Sequence, residues 1–269
     1  MKKFTLGLLI AGALVLAVCP AVSAKGSSQG SDSVLSVGAT PVPHAELLNL
    51  IKDDLAVQGI TLKVVEFTDY VQPNVAVMAG DLDANFFQHI PYLESNVEWA
   101  SKLVSAFGVH VEPFGLYSQK YKKIADLPNG ASIAIPNDPS NCGRALLLLQ
   151  ANGLITLKSG VGLTATPRDI TGNPKNFRFQ ELEAAQLPRS LQDVDGATIN
   201  GNYALEAGFN PMKDSLIIEG ADSPYVNIIV VLKGHEQSPK IQALKRALLS
   251  QKVKDYINRN YDGGVAAIF

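Results

Sequence analysis

Short apolar segments of strand length alternate with amphipathic segments of helix length along most of this chain, and Gly, Pro or Asn marks the junctions. That alternation predicts an α/β architecture, because a helix between two strands returns the second beside the first through a right-handed crossover. Val34-Leu35-Ser36-Val37-Gly38 reads as a first strand. Pro41 and Pro43 then mark a helix start. Leu47, Leu48, Ile51 and Leu55 recur at helical spacing, and Gly59 supplies the stop. Ile60 to Phe67 is the second strand, which completes a β-α-β unit. A short helix ends at Gly80, Ala84 to Phe87 is a strand, and Pro91 opens a helix to about Lys102.

The pattern then repeats. Leu103 to Ser118 is extended, and Ala131 to Pro136 is a short apolar strand. Asn137 to Asn141 forms a turn that opens a helix carrying Leu146 to Leu149. Phe177 to Leu182, Gly196 to Ile199, Ser215 to Glu219 and Val226 to Leu232 read as further strands. Pro239 begins a final amphipathic helix through Ile241, Leu244, Leu248, Val253 and Ile257. Two places that join extended segments through Gly and Pro suit crossovers between lobes: Glu112 to Gly115 and Gly220 to Pro224.

The first residues carry a different message. Lys2 and Lys3 precede an uncharged apolar stretch from Phe4 to Val18, and Val22-Ser23-Ala24 offers small residues for cleavage. That order predicts a secretory signal peptide over residues 1–24. The apolar stretch is short for a membrane span, which needs about 20 residues. Leu16-Ala17-Val18-Cys19 also resembles a lipobox, so two products are open: acylation at Cys19, leaving a membrane-anchored protein, or cleavage after Ala24, leaving a soluble one. Residues 25–33, rich in Gly and Ser, read as a flexible tether.

Removing residues 1–24 takes away two lysines and no acid, which moves the formal net charge from -2 to -4. Mild acidity argues against nucleic acid as a partner, since a phosphate-binding face needs clustered Lys and Arg. The two cysteines, Cys19 and Cys142, offer no disulfide framework once Cys19 is cleaved off or acylated. The four histidines form no His-x-x-x-His pair, and there is no Cys-x-x-Cys, Gly-x-Ser-x-Gly elbow or phosphate loop. No metal or cofactor is expected. Cys142 at a helix start, with His89 as base, is the one thiol-enzyme arrangement the residues permit.

Three segments carry binding chemistry. Asn137 to Arg144 lies between a buried strand and a helix. The free N–H groups of a helix start suit an anion, and Arg144 can grip a carboxylate with two parallel hydrogen bonds. The same residues also fit a plain helix cap, with Arg144 paired to an acid. Asn85 to Tyr92 places three aromatics and His89 at a strand-to-helix junction, where clefts form in α/β folds. Alternation sends one of Phe86 and Phe87 to the core and the other to the cleft. Asn200 and Asn227 sit at strand edges, where an amide can accept from an ammonium and donate to a carboxylate, or simply turn the chain.

These segments together resemble the NlpA-type lipoproteins, the methionine-binding proteins of bacterial ABC importers. The matching strings are Phe67 to Asn74, Gly80 to His89 with Pro91-Tyr92, Pro136 to Asn141, Gly143-Arg144 with the Leu run, Gln186 to Ser190 and Ser223 to Asn227. The resemblance runs from about Val34 to the C-terminus. It implies a two-lobed fold of the periplasmic-binding-protein type (type II) with the ligand cleft between lobes. Residues 34–114 and 224–269 would form lobe 1 and residues 115–223 lobe 2. It implies no enzymatic activity. The expected partners are L-methionine or a close analogue (D-methionine or a short Met-containing peptide) and a membrane permease, with the protein acting as a monomer at the periplasmic face or cell surface.

By the same resemblance Arg144 and Asn141 would hold the α-carboxylate. Asn200 and Asn227 would hold the ammonium and carboxylate. Tyr70, Phe87, His89 and Tyr92 would wall the side chain. Two departures bear on ligand identity. Cys142 stands where such proteins carry a bulky apolar residue, and Gly201-Asn202 replaces hydroxyl residues. A thiol enzyme at Cys142, or a surface or adhesion protein with a vestigial pocket, is the competing expectation.

Overall fold

In the computed structural model the chain lays down four strands: β1 (Val34–Ala39), β2 (Thr61–Glu66), β3 (Ala84–His89) and β4 (Leu103–Val111). It crosses over near Glu112 and forms seven more. These are β5 (Gly115–Tyr117), β6 (Ser132–Pro136), β7 (Thr156–Leu157), β8 (Ile170–Gly172), β9 (Arg178–Leu182), β10 (Gly196–Ile199) and β11 (Ser215–Ile218). It then returns for β12 (Val226–Leu232) and β13 (Ala266–Ala267). The structure describes Met1, residues 33–220 and residues 223–269. The signal peptide, Cys19 and almost all of the tether lie outside the described residues. No helix among those described is long and apolar enough to cross a membrane.

Two principal sheets result, in the orders β13-β4-β12-β3-β1-β2 and β11-β5-β10-β6-β9, with β7 and β8 pairing separately. Both are mixed, and for the same reason. The strand that enters directly after a crossover runs antiparallel to its neighbours: β5 against β10 and β11, and β12 against β3 and β4. The other central pairs, β1 with β2 and β3 and β6 with β9 and β10, are parallel, as helical crossovers require. Helices cover both faces of each sheet. Leu35, Val37 and Phe86 pack with Leu47, Leu244 and Ile257 on one side of the first, and Phe87, Ile228 and Val230 with Val77 and Trp99 on the other. The second sheet buries Ile133 and Ile135 against Leu146 and Leu149, and Ala134 and Ala197 against Leu187 and Leu191.

Three expected single helices are broken. Residues Pro41–Ala45 form a wide turn before Glu46–Leu50 and Lys52–Ala56. The Pro91 helix divides into Ile90–Glu94 and Val97–Lys102, because Asn96 recaps the chain by accepting from Glu98 and Trp99 N–H. The last divides into Pro239–Leu248 and Gln251–Asn260, where Ser250 does the same for Val253. Each break redirects the chain while the apolar spacing continues through it.

The Pro139–Ala151 helix is built to hold its first turn still. Asp138 caps it by accepting from Asn141 N–H, and Pro139 opens that turn. Gly143 lets the backbone carbonyl of Leu163 press directly onto this helix, and a Cβ there would overlap it. The segment is buried on nearly all sides from Ser140 to Leu149. Its start is thereby held rigidly between the two sheets.

Candidate functional site

A narrow cleft with about 310 Å³ of atom-free space, counting its open mouth, lies between the two sheets. A wider mouth edged by Asp69, Asp138 and Glu183 adjoins it past Tyr70 and Tyr92. All eight residues singled out in the sequence line the cleft: Tyr70, Phe87, His89 and Tyr92 from the first sheet's side, Asn141, Arg144 and Asn200 from the second, and Asn227 on β12.

Alternation along β3 sorts its side chains. Phe86 is fully buried in the core, Phe87 turns to the cleft, and His89 ends the strand as the cap of the next helix. His89 Nδ1 accepts from Tyr92 N–H at 3.2 Å, which leaves the proton on Nε2 to donate to Asn141 Oδ1 at 3.3 Å. Burial and the nearby Arg144 push its pKa down to about 3, so it is a neutral donor. Phe87, Tyr70 and Tyr92 form an aromatic wall with ring centroids 5.6 to 5.9 Å apart. Tyr92 O–H donates to the Tyr70 carbonyl, and Tyr70 O–H donates across the cleft to Asn202 Oδ1 at 2.6 Å. Burial raises the pKa of both phenols, which remain neutral donors.

The amides opposite are partly committed. Asn141 donates to Asp138 at 3.1 Å and accepts from Asn200 Nδ2 at 2.9 Å as well as from His89. Its side chain is therefore fully used, and in this conformation it positions Asn200 and His89. Asn200 Oδ1 and Asn202 Nδ2 are buried with no partner among the described residues. A buried acceptor and donor left unpaired in one cleft are expensive unless something else binds them, since buried polar groups are nearly always satisfied. Asn227 Oδ1 lies 3.0 Å from His44 Nε2.

Arg144 takes the second of the two roles that its sequence context allowed, pairing with an acid. Its Nε and Nη2 donate to the Glu219 carboxylate at 2.6 and 2.5 Å, and Nη2 also donates to the Glu112 carbonyl at 3.0 Å. The guanidinium packs on the rings of Tyr225 and Phe114, at 4.0 and 4.9 Å. Nη1 makes no hydrogen bond to a described residue, so one edge of the fork is available in the cleft. Every protein contact just named comes from the two crossover regions, because Glu112 and Phe114 belong to the first and Glu219 and Tyr225 flank the second.

Cys142 does not reach the site. It is buried in the core of the second sheet with its Sγ 3.9 Å from Glu181 Oε1, and burial with that carboxylate pushes its pKa up to about 12. That is the opposite of an activated thiol. His44, His110 and Glu112 converge closely enough to invite a metal reading. His110 Nε2–H donates to Glu112 Oε1 at 2.7 Å, and His44 Nε2 lies 3.3 Å from the same oxygen while it hydrogen-bonds Asn227 Oδ1 at 3.0 Å. A metal on His110 Nε2 would also force a proton onto Nδ1, which has no acceptor among the described residues.

Gln88, Glu112, Gly201 and Asn202 also line the cleft, and Glu219 lies behind it. In the sequence Glu112 and Glu219 read only as parts of strands and crossovers. An acid beside Pro113 or Gly220 carries no local sign that folding will bury it.

The sequence matches the NlpA lipoprotein family over residues 35–269. It is 44% identical over 268 residues to the membrane lipoprotein TpN32 of Treponema pallidum, covering 99% of each chain. It is 43% identical over 277 residues to the methionine-binding lipoprotein MetQ of Bacillus subtilis, covering 100% of this chain and 99% of that one. A nutrient-binding protein from Burkholderia cenocepacia, solved bound to methionine, superimposes with a TM-score of 0.84 at 47% identity, covering 87% of this chain and 100% of that one. Two α/β sheets joined by two crossovers and facing each other across one cleft are thus the two-lobed fold expected, and the chain belongs to the NlpA lipoprotein family.

Proposed function

We propose that this protein is the extracytoplasmic solute-binding component of an ABC importer, and that it binds methionine or a close analogue and hands it to a membrane permease. The observation that carries the reading is the content of the cleft. An aromatic wall of Tyr70, Phe87 and Tyr92 faces a free guanidinium edge and two unpaired amide atoms. Aromatic edges favour a thioether, and the polar groups suit a zwitterion. The similarity to a protein solved with methionine bound supports the same ligand.

Residues 34–114 with 224–269, and residues 115–223, act as the two lobes that close on the ligand. Residues 1–24 direct export. The lipoprotein relatives favour acylation at Cys19 over cleavage after Ala24, and mass spectrometry of the exported product reads which occurs. The protein acts as a monomer and carries out no reaction on its ligand.

Trp99, whose ring lies 5.4 Å from that of Tyr92, provides the assay. Its fluorescence in refolded, ligand-free protein should respond saturably to methionine, more weakly to norleucine, and not to glutamate. Equal responses to all three, or none to methionine, would sink the assignment. D-methionine and a Met-containing dipeptide extend the series.

A further inference from the structure

The segment from Thr68 to Gln72 lies across the way into the cleft. It leaves β2, the edge strand of the first sheet, just after Phe67 N–H donates to the Ala39 carbonyl, and it ends where the Gln72–Ala79 helix begins. Within it, Asp69 Oδ1 accepts from the N–H groups of Val71 and Gln72 at 2.7 and 2.8 Å, which keeps the turn compact. Thr68, Val71 and Gln72 are exposed, while Tyr70 lines the cleft. Tyr70, Val71 and Gln72 also line the wider mouth, so this strap separates the two spaces. Two phenols fasten it by its backbone carbonyls. Tyr92, from the strap's own side, donates to the Tyr70 carbonyl at 3.1 Å. Tyr203, from the Gly201–Glu206 helix that follows β10 of the second sheet, donates to the Thr68 carbonyl at 3.0 Å. The rings of Tyr203 and Tyr70 stack with centroids 4.9 Å apart and planes 29° from parallel. The strap's other bond across the gap, from Tyr70 O–H to Asn202 Oδ1, ends on the residue beside Tyr203 in the same helix. Tyr203 itself is buried and lines the mouth but not the cleft.

We propose that Tyr203 is a positioning residue for ligand retention: it clasps the Thr68–Gln72 strap over the cleft, and the strength of that clasp sets how fast a bound ligand leaves. The inference rests on the amino-acid reading of the cleft and goes beyond it by assigning a residue that stands outside the cleft. The route from the cleft to the mouth passes Tyr70 and Tyr92, so a leaving ligand displaces the strap. Lifting the strap off the Gly201–Glu206 helix breaks the Tyr203–Thr68 bond and the ring stack together. The bond is one neutral hydrogen bond, and a bond of that kind slows opening by roughly 2–12-fold. Because Tyr203 lies outside the cleft, it changes this rate without changing which side chains the cleft accepts.

The test is stopped-flow Trp99 fluorescence with L-methionine on refolded wild type, Tyr203→Phe and Tyr117→Phe. The observed rate plotted against methionine concentration gives kon from its slope and koff from its intercept. Tyr203→Phe keeps the ring and removes only the hydroxyl. It should raise koff roughly 2–12-fold and leave the preference for methionine over norleucine as in wild type. Tyr117 controls for a general loosening of the second sheet's side. It belongs to the same buried cluster as Tyr203, and its hydroxyl has no hydrogen-bond partner among the described residues. Tyr117→Phe should therefore leave koff unchanged. A koff in Tyr203→Phe within about 1.5-fold of wild type, below the least that such a hydrogen bond contributes, overturns the Tyr203 assignment alone. So does an equal rise in Tyr117→Phe. A changed preference between methionine and norleucine in Tyr203→Phe also overturns it, because Tyr203 would then belong to the groups that read the side chain. A wild type that gives no response to methionine sinks the amino-acid reading and this inference with it.

Discussion

Replacing Arg144 by Ala should damage stability and binding together, and the two losses can be separated. The guanidinium makes two hydrogen bonds to Glu219 and one to the Glu112 carbonyl, and it packs on Tyr225. Removing it strands the Glu219 carboxylate, whose side chain is 13% exposed. Breaking a buried pair on one side costs about 3–5 kcal/mol. The partial exposure of Glu219 points to the lower figure, about 3 kcal/mol. For a chain of this size that lowers Tm by roughly 6–12 °C. Loss of the cleft-facing edge should weaken methionine by roughly 30-fold or more. The double variant Arg144→Met with Glu219→Gln removes both charges, so thermal melts should recover most of the lost Tm. Calorimetry should show no recovery of methionine affinity. A double variant that binds like wild type would show that Arg144 is a crossover strut and not a ligand contact. An Arg144→Ala protein melting within about 2 °C of wild type would refute the stability argument.

Other expectations rest on the same geometry. His44, His89 and His110 have folded pKa values near 4, 3 and 3, below the ordinary 6.5, so the unfolded chain binds more protons between these limits. Stability should therefore fall as pH drops from about 6.5 towards 4, by ~1 kcal/mol per pH unit for each histidine, partly offset by the raised Glu112 carboxyl. Denaturant melts across that range check this, and a flat profile contradicts it. The Cys142 thiol should resist alkylation in native protein at pH 8 and react on unfolding, and Cys142→Ala should leave ligand affinity unchanged. Gly143→Ala forces a methyl against the Leu163 carbonyl and should destabilise by about 1–3 kcal/mol in denaturant melts.

Much of this was legible from local pattern. Every strand expected between Val34 and Leu232 is present, because short apolar runs with Gly, Pro or Asn boundaries mark strands buried on both faces. The breaks at Asn96 and Ser250 were not, since polar caps inside an apolar repeat look like solvent-facing positions until the chain is seen to turn there. The cleft shows the same division. Phe87, His89 and Arg144 sit at junctions that α/β folds turn towards clefts, so their convergence was foreseeable. The commitment of the Asn141 amide to Asp138, Asn200 and His89 was not, nor was the Glu112 cluster with His44 and His110. Those contacts join residues distant in sequence, and nothing local to any one of them marks it.

The central claim, that the cleft is a methionine site, is tested most directly by calorimetric titration of refolded, ligand-stripped protein with L- and D-methionine and the other amino acids. One methionine should bind saturably per chain, with no consumption of the ligand. Absence of heat with either isomer, or tighter binding of an amino acid with a charged side chain, would contradict it.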